Sequence, residues 1–249
     1  MTSRVKDKDA EMTFFQHLDE LRGRIIKSFL AIFICAIPAI YFVDDIINKI
    51  LLRPIENVNV PLQVLTPYGI VVLYMEVILI TSLIISMPII LLQIWKFVAP
   101  GLKQNERKYI WWIVFFTTLC FFSGIVFSYY IILPTSLQFF AGFGTEKIKL
   151  NIALDKYISF VMTMVFVCGL LFELPMVSYF LSKLGIITPA FLRHYRRHSI
   201  VTIFVISAFV TPSPDALTQS LLAAPIIILY EVSILISAFV HRNNEKLKI

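Results

Sequence analysis

The sequence predicts an all-α, polytopic membrane protein with six transmembrane helices, and three observations support this fold class. Of 249 residues, 58% are hydrophobic and only 15% are charged, with a mean hydropathy of +0.82, which is more apolar surface than a soluble domain of this length can bury. The apolar residues form runs of about 20, the length that crosses a bilayer as a helix. No segment alternates polar and apolar residues as a membrane barrel requires.

Six apolar runs define the expected spans. In chain order they cover approximately residues 25–43, 69–98, 109–133, 157–184, 199–211 and 216–240. The fifth run is the weakest, because its residues rise only about 20 Å as a helix against a hydrocarbon core of about 30 Å. Either the bilayer thins there or the last two segments form a re-entrant hairpin, so the fifth and sixth helices are expected to be short.

The whole chain, residues 1–249, is predicted to be a single integral membrane domain. Residues 1–12 are expected to form a cytoplasmic tail, residues 13–240 the six-helix core and residues 241–249 a second cytoplasmic tail. The N-terminal sequence "MTSRVKDKDAEM" mixes both charges and shows no cleavage pattern after a short apolar core, so no removable signal peptide is expected.

Lysine and arginine are distributed unequally between the two sides of these spans. Seventeen of the 22 flank the N-terminus, the second and fourth loops and the C-terminus, whereas the other side has Lys49, Arg53, Lys147, Lys149 and Lys156. Because basic residues are retained on the cytoplasmic side, both termini are expected in the cytoplasm. The net charge of +6 then belongs to loops that face anionic lipid, and no nucleic-acid partner is expected.

Three carboxylates, Glu76, Glu173 and Glu231, fall inside the expected spans. A charged acid at the centre of a bilayer helix costs roughly 2.5 kcal/mol or more, so such residues usually face a partner or a wet cavity. Glu173, beside Pro175, either lines a cavity or is protonated and bonded to a neighbouring helix. Glu231 and Gln219 can form one polar stripe on the last span, whereas Glu76 lies near the outer end of the second span and can simply snorkel.

The residues ahead of the first span predict an amphipathic helix that continues into it. Its apolar face has spacings of three and four: Phe14, Phe15, Leu18, Leu21 and Ile25. On the other face, Glu20 and Arg24 have the spacing of a surface ion pair worth about a few tenths of a kcal/mol. A second border acid, Glu106, lies beside Arg107 in the second loop. Two carboxylates at neighbouring helix ends can bind a cationic ligand, and a guanidinium fits a carboxylate through two parallel bonds.

The sequence contains no motif for catalysis or for metal binding. The cysteines, Cys35, Cys120 and Cys168, lie inside apolar runs at no metal or redox spacing, and there is no HExxH or GxSxG sequence. His194 and His198 are four residues apart, which can ligate a metal on a helix, but here they extend the basic sequence "RHYRRH". No enzyme activity, no cofactor and no metal are expected, and an intramembrane enzyme is a less favoured alternative.

Five segments occur in an order and at spacings that resemble the TatC family, the multi-spanning core of the twin-arginine protein translocase. They are "HLDELRGR", "QIWKFVAPGLKQNERK", "FELP", "TPSPD" and "APIIILYE". The likeness runs from about residue 14 to residue 240. It implies a concave, cupped arrangement of six helices in the cytoplasmic (inner) membrane. It also implies a receptor that binds the Arg-Arg signal peptides of folded proteins at the cytoplasmic face, for export driven by the proton gradient.

The resemblance also implies roles for individual residues. Signal-peptide binding is implied for Glu20, Arg22, Phe97, Glu106 and Arg107. Glu173 matches a mid-membrane acid that lines the concave face. Gln219 and Glu231 match positions of the last helix where the family contacts small single-span subunits of the TatA and TatB type, and Pro54 matches a proline of the first outer loop. Self-association and contact with the lipid bilayer are further expected.

The sequence departs from the family pattern at three points. The turn "TPSPD" is one residue longer than the common "TPPD" form, Gln104 replaces a frequent basic residue, and Glu76 stands where lysine is frequent. A secondary transporter of small solutes is the main alternative, because it also uses proline-broken spans with intramembrane acids. Six spans without an internal repeat argue against it.

Overall fold

The computed structural model describes residues 14–56, 61–98, 110–142, 151–210 and 216–246, and these residues are predominantly helical. The helices are α1 (Phe14–Tyr41), α2 (Val43–Asp45), α3 (Arg53–Glu56), α4 (Gly69–Val98), α5 (Ile110–Phe127), α6 (Leu133–Ala141), α7 (Leu154–Leu171), α8 (Leu174–Lys183), α9 (Pro189–His194), α10 (Arg196–Val210) and α11 (Ala216–Lys246). π-Helical segments at Ile46–Leu51 and Ser128–Ile132 join α2 to α3 and α5 to α6. Strands β1 (Leu62–Gln63) and β2 (Ile152–Ala153) pair in parallel.

Five helical stretches of the described chain are long and apolar enough to cross a membrane. They are His17–Tyr41, Gly69–Val98, Ile110–Ala141, Leu154–Lys183 and Thr218–Arg242. They correspond to the first four predicted spans and to the sixth, and they confirm the all-α polytopic fold class. The fifth predicted span is α10, whose 15 residues rise only about 22 Å, less than the hydrocarbon thickness of a bilayer.

Two spans are longer than the sequence indicates. The last helix, α11, has 31 residues, so the expectation of a short sixth helix is corrected. Its apolar part is already long enough to cross a bilayer, and the helix continues into the polar sequence that follows Val240. The third span continues past Leu133 to Ala141, with Pro134 in the first turn of α6, directly after the π-helical segment Ser128–Ile132.

The fourth span is broken near its middle. Helix α7 ends at Leu171 and α8 begins at Leu174, with Glu173 at the break. Pro175 lies in the first turn of α8 and has no N–H to donate to the preceding turn, so the backbone hydrogen bonding of a continuous helix is interrupted here.

The long helices pack as an open series. Helix α1 packs mainly against α4, which in turn packs against α5 and α7, while α11 packs against α8 and α10. One side of α1 therefore stays uncovered, and Phe29, Phe33 and Ile37 are exposed there, where a bilayer supplies the apolar contacts. This open arrangement fits the cupped shape that the resemblance implies.

The larger buried core lies at the end of the bundle remote from Glu20, under a segment that we call the cap (residues 43–56). Val43, Ile47, Leu51 and Ile55 point from the cap into a cluster formed with the neighbouring spans. Pro54, the predicted outer-loop proline, is buried in the cap. Because the inward residues recur every four positions, the cap packs as a bent extension of α1 instead of an open loop.

Three tyrosine hydroxyls fasten the cap to three different spans. Tyr74 donates to Asp44 Oδ1 at 2.6 Å, Tyr129 to the carbonyl of Ile50 at 2.8 Å, and Tyr157 to the carbonyl of Leu51 at 2.7 Å. The pairing of β1 with β2 adds a backbone link between the chain that follows the cap and the start of the fourth span. The cap is thus held by hydrogen bonds as well as by apolar packing.

Candidate functional site

Glu20 lies near the start of α1 with its side chain only 19% exposed. Arg24, one turn later, donates from both Nε and Nη2 to Glu20 Oε1, with an Nε–Oε1 distance of 3.0 Å. The second oxygen, Oε2, is buried and has no hydrogen-bond partner among the described residues, and His17 Nδ1 lies 4.0 Å from it. Since an ionised carboxylate accepts several hydrogen bonds, Glu20 binds one guanidinium and retains an oxygen for another donor.

An aromatic contact joins the start of α1 to the end of α4. The His17 ring stacks on Phe97, with 4.4 Å between ring centroids and an angle of 21° between planes. The predicted residue Phe97 is therefore next to Glu20, although the two lie far apart in the sequence. This contact is not predictable from the sequence pattern, because nothing local indicates which rings meet.

An apolar groove continues from this contact into the span, and we call it the α1–α4 groove. Its volume is about 290 Å³, and its walls include Leu21, Ile25 and Phe29 of α1 and Ile90 and Ile94 of α4. Arg24 and Phe97 also line it. A ligand that carries a cation followed by an apolar segment finds a carboxylate and an apolar channel side by side.

The other predicted signal-peptide residues lie elsewhere. Arg22 is exposed and, two residues from Glu20, it points to the opposite side of α1. Glu106 and Arg107 lie outside the described residues, as do Gln104 and Asp215. The structure therefore brings together Glu20, Phe97 and, in addition, His17 and Arg24.

Glu173 is enclosed at the break in the fourth span. Only 8% of the residue is exposed, and its Oε1 has no hydrogen-bond partner within the described part of the chain. The sequence left two alternatives for Glu173, a cavity lining or a bond to a neighbouring helix. The described residues form no such bond to Oε1. A buried carboxylate oxygen without a hydrogen-bond partner makes the charged form of Glu173 costly.

The polar residues of the last helix hold α10. Gln219 Nε2 donates to the carbonyl of Phe204 at 2.7 Å, and Arg196 Nη2 donates to Glu231 Oε2 at 2.7 Å. In two antiparallel helices joined by a short turn, residues at equal distances from the turn lie opposite each other. The sequence predicts a short turn after α10, and this turn could have identified Arg196 as the partner of Glu231.

Glu76 is bound within the chain instead of extending to the membrane surface. Ser159 Oγ, on the fourth span, donates to Glu76 Oε1 at 2.8 Å. Among the residues that the structure describes, no group of three or more His, Cys, Asp or Glu side chains is placed to hold a metal ion. Glu76 therefore links two spans, whereas Glu20 and Glu173 each have one buried oxygen without a hydrogen-bond partner among the described residues.

These features define a multi-pass helical membrane protein with a carboxylate and an apolar groove at one end of its first two spans. The profile of the family described as Sec-independent protein translocase protein (TatC) matches residues 16–225. The chain belongs to the TatC family, which confirms the resemblance found in the sequence.

Individual relatives agree along almost the whole chain. The TatC protein of Carboxydothermus hydrogenoformans is 40% identical over 233 residues, covering 94% of this chain and 96% of that protein. The TatC protein of Aquifex aeolicus is 36% identical over 242 residues, covering 95% and 99%. A crystal structure of the twin arginine translocase receptor TatC matches with a TM-score of 0.83 at 37% identity, covering 90% of this chain and 99% of that one.

Proposed function

We propose that this chain is the receptor and core component of a twin-arginine protein translocase. It binds the Arg-Arg signal peptides of folded proteins at the cytoplasmic face and organises their export, driven by the proton gradient. The observation that supports the proposal is the state of Glu20: one carboxylate oxygen binds the guanidinium of Arg24, and the other is buried and has no hydrogen-bond partner among the described residues.

The chemistry of the signal peptide matches this site. A guanidinium forms directed, charge-assisted bonds to carboxylate oxygens that an ammonium does not reproduce. One arginine of the peptide binds Glu20 Oε2, and the second binds Glu106, which the sequence places at the neighbouring helix end. A hydrogen bond to a charged group contributes about 1.5–3 kcal/mol, so two such bonds need apolar contact to reach micromolar affinity.

The α1–α4 groove supplies this apolar contact. It begins at Phe97 and Arg24 and runs along α1 and α4 into the membrane. The apolar segment of a signal peptide follows its arginines directly, so it enters the groove when the arginines are bound. From there it moves along the open side of the helices toward Glu173, the enclosed acid of the fourth span.

The remaining assignments follow from family membership and from the charge distribution. The chain is a transport protein of the cytoplasmic membrane, not an enzyme, and both of its termini are cytoplasmic. Small single-span subunits of the TatA and TatB type bind at the last two helices, where Gln219 and Glu231 lie, and further copies of the chain associate with it. The proton gradient as energy source follows from family membership, and the sequence contains no nucleotide-binding motif.

The test is photo-crosslinking of an Arg-Arg signal peptide to membranes that contain the full chain. Glu20→Gln and Glu106→Gln are each expected to reduce crosslinking about tenfold, the loss of one charged hydrogen bond of roughly 1.5 kcal/mol, and the double variant is expected to abolish it. Asp19→Asn is the matched control, because it removes the charge of an exposed acid next to Glu20. Crosslinking that is unchanged in the double variant would exclude the proposed site.

A further inference from the structure

A second cavity lies beneath the cap, at the opposite end of the bundle from Glu20. Its volume is about 430 Å³, and it is lined by the cap, α4, α5, α7 and the π-helical segment after α5. Its deep walls are apolar and include Ile84, Ile125 and Val165. Its rim carries Lys49 and Arg53. We call this space the cap cavity.

The cap cavity reaches from the cap to the middle of the bundle. Ile84 lies 15 residues beyond Gly69, the cap end of α4, and therefore about 22 Å along the helix. It lies 14 residues, or about 21 Å, from the other end at Val98. The apolar walls therefore extend from near the membrane surface to mid-membrane, the depth that one lipid acyl chain occupies.

Two cations, Lys49 and Arg53, lie at the rim, and the described lining of the cavity includes no carboxylate. Lys49 is paired with Asp45 at 2.6 Å, and Asp44 accepts the hydroxyl of Tyr74. Arg53 is exposed, and the described residues place no carboxylate within ion-pair distance of it. The hydroxyl-bearing residues Tyr129 and Tyr130 complete the rim, and such amphipathic rings are typical of the level of lipid headgroups.

We propose that the cap cavity binds an anionic phospholipid, with its phosphate on Arg53 and one acyl chain between the cap and the three spans. A guanidinium binds phosphate oxygens in a bidentate manner, and an acyl chain buries its apolar surface against Ile84, Ile125 and Val165. The site does not depend on signal-peptide binding at Glu20.

The experiment uses phosphatidylglycerol that carries a photoactivatable diazirine on one acyl chain. The full chain is reconstituted in phosphatidylcholine vesicles with this probe, irradiated and digested, and the labelled peptides are mapped by mass spectrometry. Labelling is expected in peptides that contain Ile84, Ile125 and Val165. Phosphatidylcholine with the same diazirine chain is expected to label them about fivefold less, since one basic residue near the surface attracts an anionic headgroup by about this factor.

Two variants separate the headgroup contact from the acyl contact. Arg53→Gln is expected to lower phosphatidylglycerol labelling about fivefold, to the level of phosphatidylcholine. The control is Lys156→Gln, which removes an exposed cation outside the cavity lining and is expected to leave labelling unchanged. Thr81→Trp fills the cavity from α4 and is expected to remove labelling with Arg53 in place.

Three results would overturn the proposal. They are equal labelling by the two lipids in the unmodified chain, labelling confined to peptides outside the cavity walls, and displacement of the probe by soluble glycerol phosphate, which has no acyl chain. The comparison of the two lipids needs no variant, so it decides the question even if Arg53→Gln does not fold.

Discussion

The Glu20 end and the cap end of the bundle use their polar groups in different ways. At the cap end, the hydroxyls of Tyr74, Tyr129 and Tyr157 are each bound to the cap. At the Glu20 end, a buried carboxylate oxygen has no partner within the described residues. Buried polar groups that are paired fix a structure, whereas one that is left unpaired calls for a further explanation, such as a ligand. The paired hydroxyls stabilise the cap, whereas the Glu20 oxygen, one of several buried polar atoms without a partner among the described residues, lies beside the α1–α4 groove and is a candidate for ligand binding.

The largest expected effect is on the packing of the cap. Leu51 is buried in the core beneath the cap, so Leu51→Ala is expected to lower the free energy of unfolding by about 2–5 kcal/mol. Leu30→Ala, on the exposed side of α1, is the matched control and is expected to have little effect. Thermal unfolding of the purified protein in detergent measures both. Equal losses would contradict the role of Leu51 in the core beneath the cap.

The next effect concerns a single hydrogen bond of the cap. Tyr157→Phe leaves the carbonyl of Leu51 buried without its donor, and it is expected to cost about 1–3 kcal/mol of unfolding free energy. Tyr68→Phe removes a hydroxyl from an exposed ring and serves as the control in the same assay. Signal-peptide crosslinking at Glu20 is expected to be unchanged in both variants, and a parallel loss of crosslinking would show that the two ends are coupled.

The sequence predicts those parts of the molecule that depend on periodicity and on local spacing. The apolar runs identify the long spans, and the four-residue spacing identifies the Glu20–Arg24 pair, which the structure contains. The cap was not predicted, because the sequence between Val43 and Glu56 interrupts the apolar run with Asp44, Asp45 and Lys49. The four-residue spacing of Val43, Ile47, Leu51 and Ile55 is present in the sequence, but the contacts of these residues with distant spans are visible only in the folded chain.

The same limit applies to the candidate site. Glu20 was recognised from its motif, but the position of Phe97 beside it depends on how α1 crosses α4. The His17–Phe97 stack and the α1–α4 groove exist only in the folded chain, because they combine residues about 80 positions apart. The motif resemblance made Phe97 a candidate residue, and the stack with His17 in the structure places it next to Glu20.

A smaller effect is expected where the last two helices meet. The Arg196–Glu231 pair is almost half exposed, so Glu231→Gln is expected to reduce the free energy of unfolding by at most about 1 kcal/mol. A double-mutant cycle with Arg196→Gln isolates the contribution of the pair. If Glu231 also contacts a small partner subunit, its substitution reduces co-purification of that subunit more than Arg196→Gln does, and equal reductions would indicate that the pair only holds α10.

The smallest effect concerns Arg24 and bears directly on the Glu20 end. Arg24 occupies the Oε1 atom of Glu20, so it competes with an incoming guanidinium for one of the two carboxylate oxygens. Because an i,i+4 pair contributes only about 0.2–0.5 kcal/mol, Arg24→Gln is expected to tighten binding of an Arg-Arg signal peptide by no more than about twofold.

The matched control for this change is Lys27→Gln, which removes an exposed charge of α1 about two turns from Glu20. A peptide titration with each variant, measured at one salt concentration, separates the loss of positive charge from the release of Oε1. Tighter binding with Arg24→Gln alone supports a site in which the receptor's own guanidinium occupies half of the carboxylate. Weaker binding would instead mean that Arg24 orients Glu20 for its ligand, and the role of competitor would be withdrawn.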